Sequence, residues 1–382
     1  MTQSPHVVVI GAGTLGMCTA YNLVKLGARV TVLDANAVAS GSSGRSVGVI
    51  GTQFTDIFEI QLRQHSMRQF REFEAFGLNI NRIGYLRLAR TSEQMDLFAQ
   101  SVLMQQEAGF RSRVYQADQL REVVPHISTE GLAGGIFGPD DGFIDPHELC
   151  MLLADKVKEA GSVVRQFCEL EKADRLSSGY QLQTSNGVVE CDIVVNAAGA
   201  WAPQVAEIFG QTLHVKPERH EAITIQLDVP LSYTMPMVMD LVNGEGTGLN
   251  FRHEKPSELI AEVHKVTSLE PENPDHYNDQ CEEASKIDLA ELLLERVPEL
   301  PGARLGRGWA GLYPMTYDKR PFVGPLDASE PTLITAAGAG GYGIQLSPVI
   351  GQLAADWVLK GEPQSFPEAL QLKPSAERNI SG

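Results

Sequence analysis

The sequence predicts an α/β chain in which a discontinuous domain of strands and helices is interrupted by a second, α+β domain built on an antiparallel β-sheet. Three observations lead there. At 382 residues the chain is long enough for two to three domains. Residues 6–50, 145–215 and 305–361 each read as strands, turns and helices of a packed α/β core. The stretches between them differ in character, with helical periodicity around a short strand in 51–134 and alternating strands followed by a helix in 216–304. A chain that leaves one core and returns to it twice divides as 1–50, 135–215 and 305–382 for the first domain, and 51–134 and 216–304 for the second.

Composition sets limits on function. Hydrophobic residues at 43 % and charged residues at 21 % exclude disorder as the main state. A net charge of −17, relieved by no basic stripe, argues against nucleic acid or an anionic membrane as the main partner. The cysteines (Cys18, Cys150, Cys168, Cys191, Cys281) are scattered and form no CxxC pair. That suits reduced thiols, and no metal site is expected. Met1 to His6 is too short and polar for a signal peptide, and no run approaches the roughly 20 apolar residues of a spanning helix. The expectation is a cytoplasmic protein with no membrane insertion.

Taken in order, the first element is the buried-strand run Val7 to Ile10. Gly11-Ala12-Gly13-Thr14-Leu15-Gly16 follows and opens a helix to Lys25. In such a turn Gly11 makes the tight bend, Gly13 admits a pyrophosphate and Gly16 lets the helix pack on the strand. The helix N-terminus offers free N–H groups to that pyrophosphate. A second strand, Arg29 to Leu33, ends in Asp34, placed to accept from ribose hydroxyls. This is a Rossmann-like unit, and the acidic Asp34 disfavours a 2′-phosphate while leaving NAD and FAD both open. The small, polar segment from Ala39 to Gly48 can wrap a diphosphate with backbone N–H groups and hydroxyls.

Helices are expected at Ile57 to Phe76 and Ser92 to Ala108, around a strand at Gly84 to Ala89. Asp145-Pro146 reads as an N-cap and first-turn proline for a helix from His147 to Ala160. Strands follow near Val163 and Gln181 and at Asp192 to Asn196. The second insertion carries strands Ala222 to Leu227 and Glu258 to Lys265, a loop at Pro271 and Pro274, and a helix from Asp288 to Arg296. A strand from Thr332 to Ala336, a glycine-rich turn and a helix from about Pro348 to Lys360 complete the chain.

Beyond the glycine turn and the Ser-rich loop with Arg45, three later motifs recur in order. They are Asn196-Ala197-Ala198-Gly199-Ala200-Trp201, Trp309-Ala310-Gly311-Leu312-Tyr313-Pro314 and Gly338-Ala339-Gly340-Gly341-Tyr342-Gly343. Together the motifs resemble the D-amino acid oxidase family of FAD-dependent oxidoreductases, closest to its glycine oxidase and sarcosine oxidase branch, from about Val7 to Gly361. The resemblance implies that the first domain binds FAD and the second binds substrate. It places cofactor contacts on Thr14, Leu15, Asp34, Ala35, Ser42, Ser43, Arg45, Val47, Gly48 and Val49, on Leu170 at the adenine, and on Ala198 and Gly199. At the flavin end it implies Gly311, the turn Gly338, Gly340, Gly341, Tyr342 and Gly343, then Ile344 and Gln345. Some relatives attach the flavin through a cysteine in the segment around Gly311. This chain has none there, so the FAD is expected to be non-covalent.

The resemblance also implies the chemistry, which is oxidation of a C–N bond by hydride transfer to flavin N5, giving an imine that water hydrolyses. Here the pattern breaks. Glycine oxidases place arginine at the position of Tyr313 and a basic residue at Gly341, and sarcosine oxidases place lysine at Gln345. Without those cations a substrate carboxylate lacks its usual partner. Tyr313, Tyr342 and Gln345, with Met315 beside them, are expected to line the substrate pocket, and Arg252 or Arg307 could supply a displaced anchor. The expected activity is FAD-dependent oxidation of a small amine or N-substituted amino acid, with O₂ or an electron carrier as acceptor. Two alternatives are a flavoprotein subunit passing electrons within a larger complex and an enzyme oxidising a 2-hydroxy acid.

Overall fold

A computed structural model describes residues 4–241, 248–264 and 270–380. Its organising element is a six-stranded sheet in the order Phe322–Pro325, Leu333–Ala337, Ile193–Asn196, His6–Ile10, Arg29–Leu33 and Val163–Arg165. Only the first two strands in that order run antiparallel to each other; the other neighbours are parallel. Strand alternation separates two cores on its faces. Val7 and Val9 pack under helices Thr14–Lys25, Pro146–Glu159 and Gly343–Lys360. Val8 and Ile10 face Leu170, Tyr180, Leu182 and Val189 of a three-stranded antiparallel sheet. Strands covered on both sides read as continuous apolar runs, as these do.

The second sheet has eight strands in the order Arg304–Met315, Lys216–Gln226, Glu258–His264, Gly248–Lys255, Met237–Leu241, Tyr85–Ala89, Gly134–Gly138 and Arg113–Gln116. It is antiparallel except where Met237–Leu241 runs parallel to Tyr85–Ala89. One face is apolar, with Leu86, Ile223, Val238, Phe251, Leu259 and Ala261 packed against Leu289 and Leu293 of helix Glu283–Arg296. The other face carries Arg87, Asn250, Glu262, His220 and Tyr313, and it turns toward the first domain.

Three sequence boundaries shift. Arg304–Met315 pairs with Lys216–Gln226 along its whole length, and Gly134–Gly138 pairs with Tyr85–Ala89, so both belong to the eight-stranded sheet. Helix Ile57–Ala75 goes the other way, since Phe58, Leu62, Phe70 and Phe73 join the core of the first domain. A strand's own alternation shows that it is a strand but not which strand it will pair with. The expected strand end at Lys265 lies outside the described residues; the strand is Glu258–His264.

The last helix starts earlier than its proline suggested. It runs Gly343–Lys360 with Pro348 inside it. Proline removes the N–H that would reach the carbonyl four residues back. That carbonyl, Ile344 O, accepts from Ser347 Oγ at 2.9 Å instead. Asp145 caps its helix as expected, accepting from His147 N at 2.8 Å. All five cysteines are free, and no helix among the described residues is long and apolar enough to cross a membrane.

Helices Thr14–Lys25 and Gly343–Lys360 cross at Gly351, where a Cβ would lie 2.4 Å from the Cys18 carbonyl carbon. Gly351→Ala is therefore expected to cost about 1–3 kcal/mol by overpacking, read as a lowered denaturant midpoint at unchanged slope. An unchanged midpoint would mean the helix pair can separate freely.

Candidate active site

The glycine turn is shaped by close backbone approach. Gly11 has φ +105°, and a Cβ on it would stand 2.5 Å from Ala197 O. A Cβ on Gly16 would stand 1.8 Å from Gly11 O, which only a glycine avoids. Asp34 fixes the turn from the second strand. Its Oδ2 accepts from Ala12 N at 2.7 Å and its Oδ1 from Asn36 N at 2.8 Å. Burial pushes the Asp34 carboxyl above its usual range, and these two N–H groups act against that. At the helix start, Thr14 N donates to Ser43 Oγ at 3.0 Å, so the Ser-rich loop closes directly on the helix N-terminus.

A cleft of about 1030 Å³ runs from this turn in both directions. One end is formed by Asn36, Phe167, Glu169 and Leu170. The middle is lined by Gly11, Gly13, Thr14, Leu15, Asp34, Ala35, Ser42, Ser43, Arg45 and Val47, with Ala198 and Gly199 opposite. The far end is built by Gly340, Gly341, Gly343 and Ile344 from the first domain's edge, and by Gly311, Tyr313, His220 and Glu262 from the eight-stranded sheet. Pro274, Asp275, Tyr277 and Asp279 close over it. That loop is tied down by Trp201 Nε1 donating to Asp275 at 2.7 Å and Arg219 Nε donating to Asn278 O at 2.6 Å.

Tyr313 dominates the far end. Its ring stacks on His220 with centroids 3.9 Å apart, and a Cβ on Gly341 would sit 2.6 Å from its Cε2. Burial, and then the charge of Glu262 facing its hydroxyl, pushes the phenol well above its ordinary range, so it stays neutral. Glu262 also accepts from Asn250 Nδ2 at 2.8 Å.

Several expected residues stand apart from the cleft wall. Gly16 lies behind the turn, in the helix packing just described. Gly48, at φ +72°, and Val49 pack on Ile144 and pair with Phe143. Gly338 meets Thr316. Gln345 is buried, with Oε1 accepting from Gly51 N at 3.2 Å. Tyr342 is 41 % exposed and packs on Phe54 rather than into the cleft. Arg252 does not line the cleft. Its guanidinium is buried over the Phe143 ring at 3.6 Å and donates to Val47 O, His253 O and Glu254. Arg307 lies outside the cleft lining as well.

The sequence reading missed His220, Tyr277, Asn250 and Glu262. The apolar alternation Leu259, Ala261, Val263 does put Glu262 on the opposite face, but nothing local says that this face meets a cleft rather than water.

The profile of the FAD dependent oxidoreductase family matches residues 6–357. The chain belongs to this family. A glycine oxidase of Geobacillus kaustophilus is 26 % identical over 375 residues, covering 95 % of both chains. The FAD-dependent oxidoreductase domain-containing protein 1 of Bos taurus is 29 % identical over 418 residues, covering 95 % of this chain and 83 % of its own. Among solved structures, L-proline dehydrogenase from P. horikoshii superimposes with a TM-score of 0.86 at 24 % identity, covering 98 % of each chain, which shows a shared fold.

As a member of the FAD-dependent family, the protein uses FAD, and the cleft fits that group. The glycine turn leaves a cradle that side chains would fill, an acidic strand end stands beside it, and the space continues to a second glycine turn.

Asp34→Ala is expected to weaken FAD retention by on the order of 1.5–3 kcal/mol. It is also expected to lower the apoprotein's melting temperature, because Ala12 N and Asn36 N lose their acceptor. Asp34→Asn, which keeps a neutral acceptor for one of them, should recover part of the melting temperature. Equal FAD content in Asp34→Ala and the parent at matched dilution would place Asp34 outside the cofactor site.

The segment after the Ser-rich loop is held by a buried carboxylate. Asp141 Oδ1 accepts from Thr52 N and Thr52 Oγ1, and Oδ2 accepts from Gln53 Nε2. Burial raises this carboxyl to about 7. The native state therefore binds the proton more tightly than the unfolded chain, and stability falls as pH rises from about 4 to about 7. Asp141→Asn can still accept from Thr52, and its amide can reach the unpartnered Gln53 Oε1 once Gln53 turns. Denaturant unfolding at pH 5 and pH 8 should show a smaller pH loss in this variant; parallel profiles would rule the effect out.

Proposed function

We propose that the protein oxidises a C–N bond of a small amine or N-substituted amino acid, with FAD held non-covalently along the cleft. The observation that supports it most is the continuity of one cleft from the Gly11–Gly16 turn to a pocket of Tyr313, His220, Gly341 and Glu262.

Each part has a physical task. The N-terminus of helix Thr14–Lys25 favours a pyrophosphate, and Ser42 and Ser43 stand beside it. Asp34 keeps lone pairs for ribose hydroxyls after its two backbone bonds. Gly343 and Ile344 bring the start of helix Gly343–Lys360 to the cleft, where its partial positive charge stabilises negative charge that builds up nearby. Bound FAD supplies the two-electron acceptor for a hydride. The substrate loses that hydride from carbon and a proton from nitrogen, and the resulting imine takes up water to give a carbonyl compound and the freed amine. Little acid–base machinery is needed. The protein's work is placement, with Tyr313, wedged between His220 and Gly341, forming a rigid wall.

That wall also disfavours simple amino acids. A substrate carboxylate beside Tyr313 would lose its water without gaining a cation, at a cost on the order of several kcal/mol. Glycine and sarcosine are therefore expected to bleach the flavin slowly under anaerobic conditions, while some members of an amine and N-methyl amine panel bleach it fast. Tyr313→Arg is expected to create or improve glycine oxidation. Rapid bleaching of the parent by glycine, or flavin left in the pellet after acid precipitation, would overturn the corresponding part of this reading.

A further inference from the structure

Glu262 bonds to the side chains of Asn250 and Tyr313, and the sheet delivers it to the Tyr313 end of the cleft. Register explains how. Asn250 pairs directly with Glu262 across neighbouring strands, and Met239 pairs with Asn250, so these side chains share the face opposite the apolar core. From the adjacent strands His220 and Tyr313 come to the same face. The Glu262 carboxylate thus lines the cleft with the Tyr313 hydroxyl facing it and Asn250 Nδ2 donating to it.

Those two donors leave the carboxylate with lone pairs to spare, and Arg252 acts on it only through space, without a direct contact. Among the described residues no lysine or arginine forms an ion pair with Glu262. Arg252 on the neighbouring strand is committed to Glu254 and two backbone carbonyls. Arg45 is the one lysine or arginine among the described residues lining the cleft, and it donates to Ser40 O and lies over Tyr277. Asp279 also lines the cleft, whereas the Glu221 carboxylate is already paired with Arg219. A partly buried carboxylate that lines a cleft and is held by neutral donors gains a charge-assisted hydrogen bond when a cationic ligand reaches it.

Resting on the amine-oxidase reading above, we propose that Glu262 is the specificity-determining residue and that it receives a second, non-reacting ammonium, so that the substrate class is α,ω-diamines and longer polyamines. The reacting nitrogen has to be neutral when hydride leaves the carbon beside it. A carboxylate next to that nitrogen would favour its protonated form, so the carboxylate is suited to the far nitrogen. A substrate carboxylate at this position meets like charge and is rejected.

The test uses the FAD-loaded protein under anaerobic conditions, titrated with butane-1,4-diamine, pentane-1,5-diamine, butylamine and sarcosine. Perturbation of the flavin spectrum reads binding, and bleaching reads reduction. A diamine is expected to bind about tenfold or more tighter than butylamine. Glu262→Gln should erase that preference by raising the diamine KM, with the reduction rate at saturation little changed. Butylamine binding as tightly as the diamines overturns the proposal, as does a preference that survives Glu262→Gln. The native comparison needs no variant, so the test holds even if Glu262→Gln folds poorly. If sarcosine bleaches the flavin while diamines neither bind nor bleach it, the proposal falls and the amine-oxidase reading stands. If diamines bind through Glu262 and no amine or amino acid bleaches the flavin, the reading falls and the cation site stands.

Discussion

Three backbones meet at the end of strand His6–Ile10, and no side chain fits between them. Gly16 lies against Gly11 O, and Gly11 lies against Ala197 O, so any Cβ at either glycine would overlap a carbonyl. That contact seats helix Thr14–Lys25 on the sheet, aims its N-terminus along the cleft and fixes the neighbouring strand Ile193–Asn196 alongside. Asp34 completes the arrangement by accepting from Ala12 N, so the turn and the acid that follows the second strand are one unit. Ala198 and Gly199 line the opposite wall because strand Ile193–Asn196 ends at the same level.

The second domain is built on another constraint, the period of two in a strand. Every apolar residue that packs on helix Glu283–Arg296 leaves its neighbours facing the other way, and that other face is the wall of the pocket. His220, Asn250, Glu262 and Tyr313 are therefore placed by the same alternation that builds the core behind them. A one-residue slip in register would empty the pocket and bury its charges.

The segment that leads from the Ser-rich loop to helix Ile57–Ala75 is held by buried charge on both sides. Arg252 reaches from the eight-stranded sheet to Val47 O, and Asp141 holds Thr52 and Gln53. Between these anchors lie Gly48, Val49 and Ile50, which pair with or pack on the segment Gly142 to Ile144. The Arg252 guanidinium is committed to the backbone at Val47 and His253 and to Glu254. Its own burial lowers its basicity while Glu254 acts in the opposite sense.

Local pattern and motif determined most of the first domain. Val7 to Gly16, Asp34, the helix capped by Asp145 and the strand before Ala198 could be read directly, because each depends on residues close in sequence whose chemistry has few other uses. Family resemblance supplied FAD and the far glycine turn. Tertiary structure alone decided the rest. The partner of strand Arg304–Met315, the allegiance of helix Ile57–Ala75, the withdrawal of Tyr342, Gln345 and Arg252 from the cleft wall, and the arrival of Glu262 there all depend on residues far apart in sequence. Alternation along a strand assigns a side chain to one face or the other, but whether that face meets core, cleft or water is fixed only when another part of the chain packs against it.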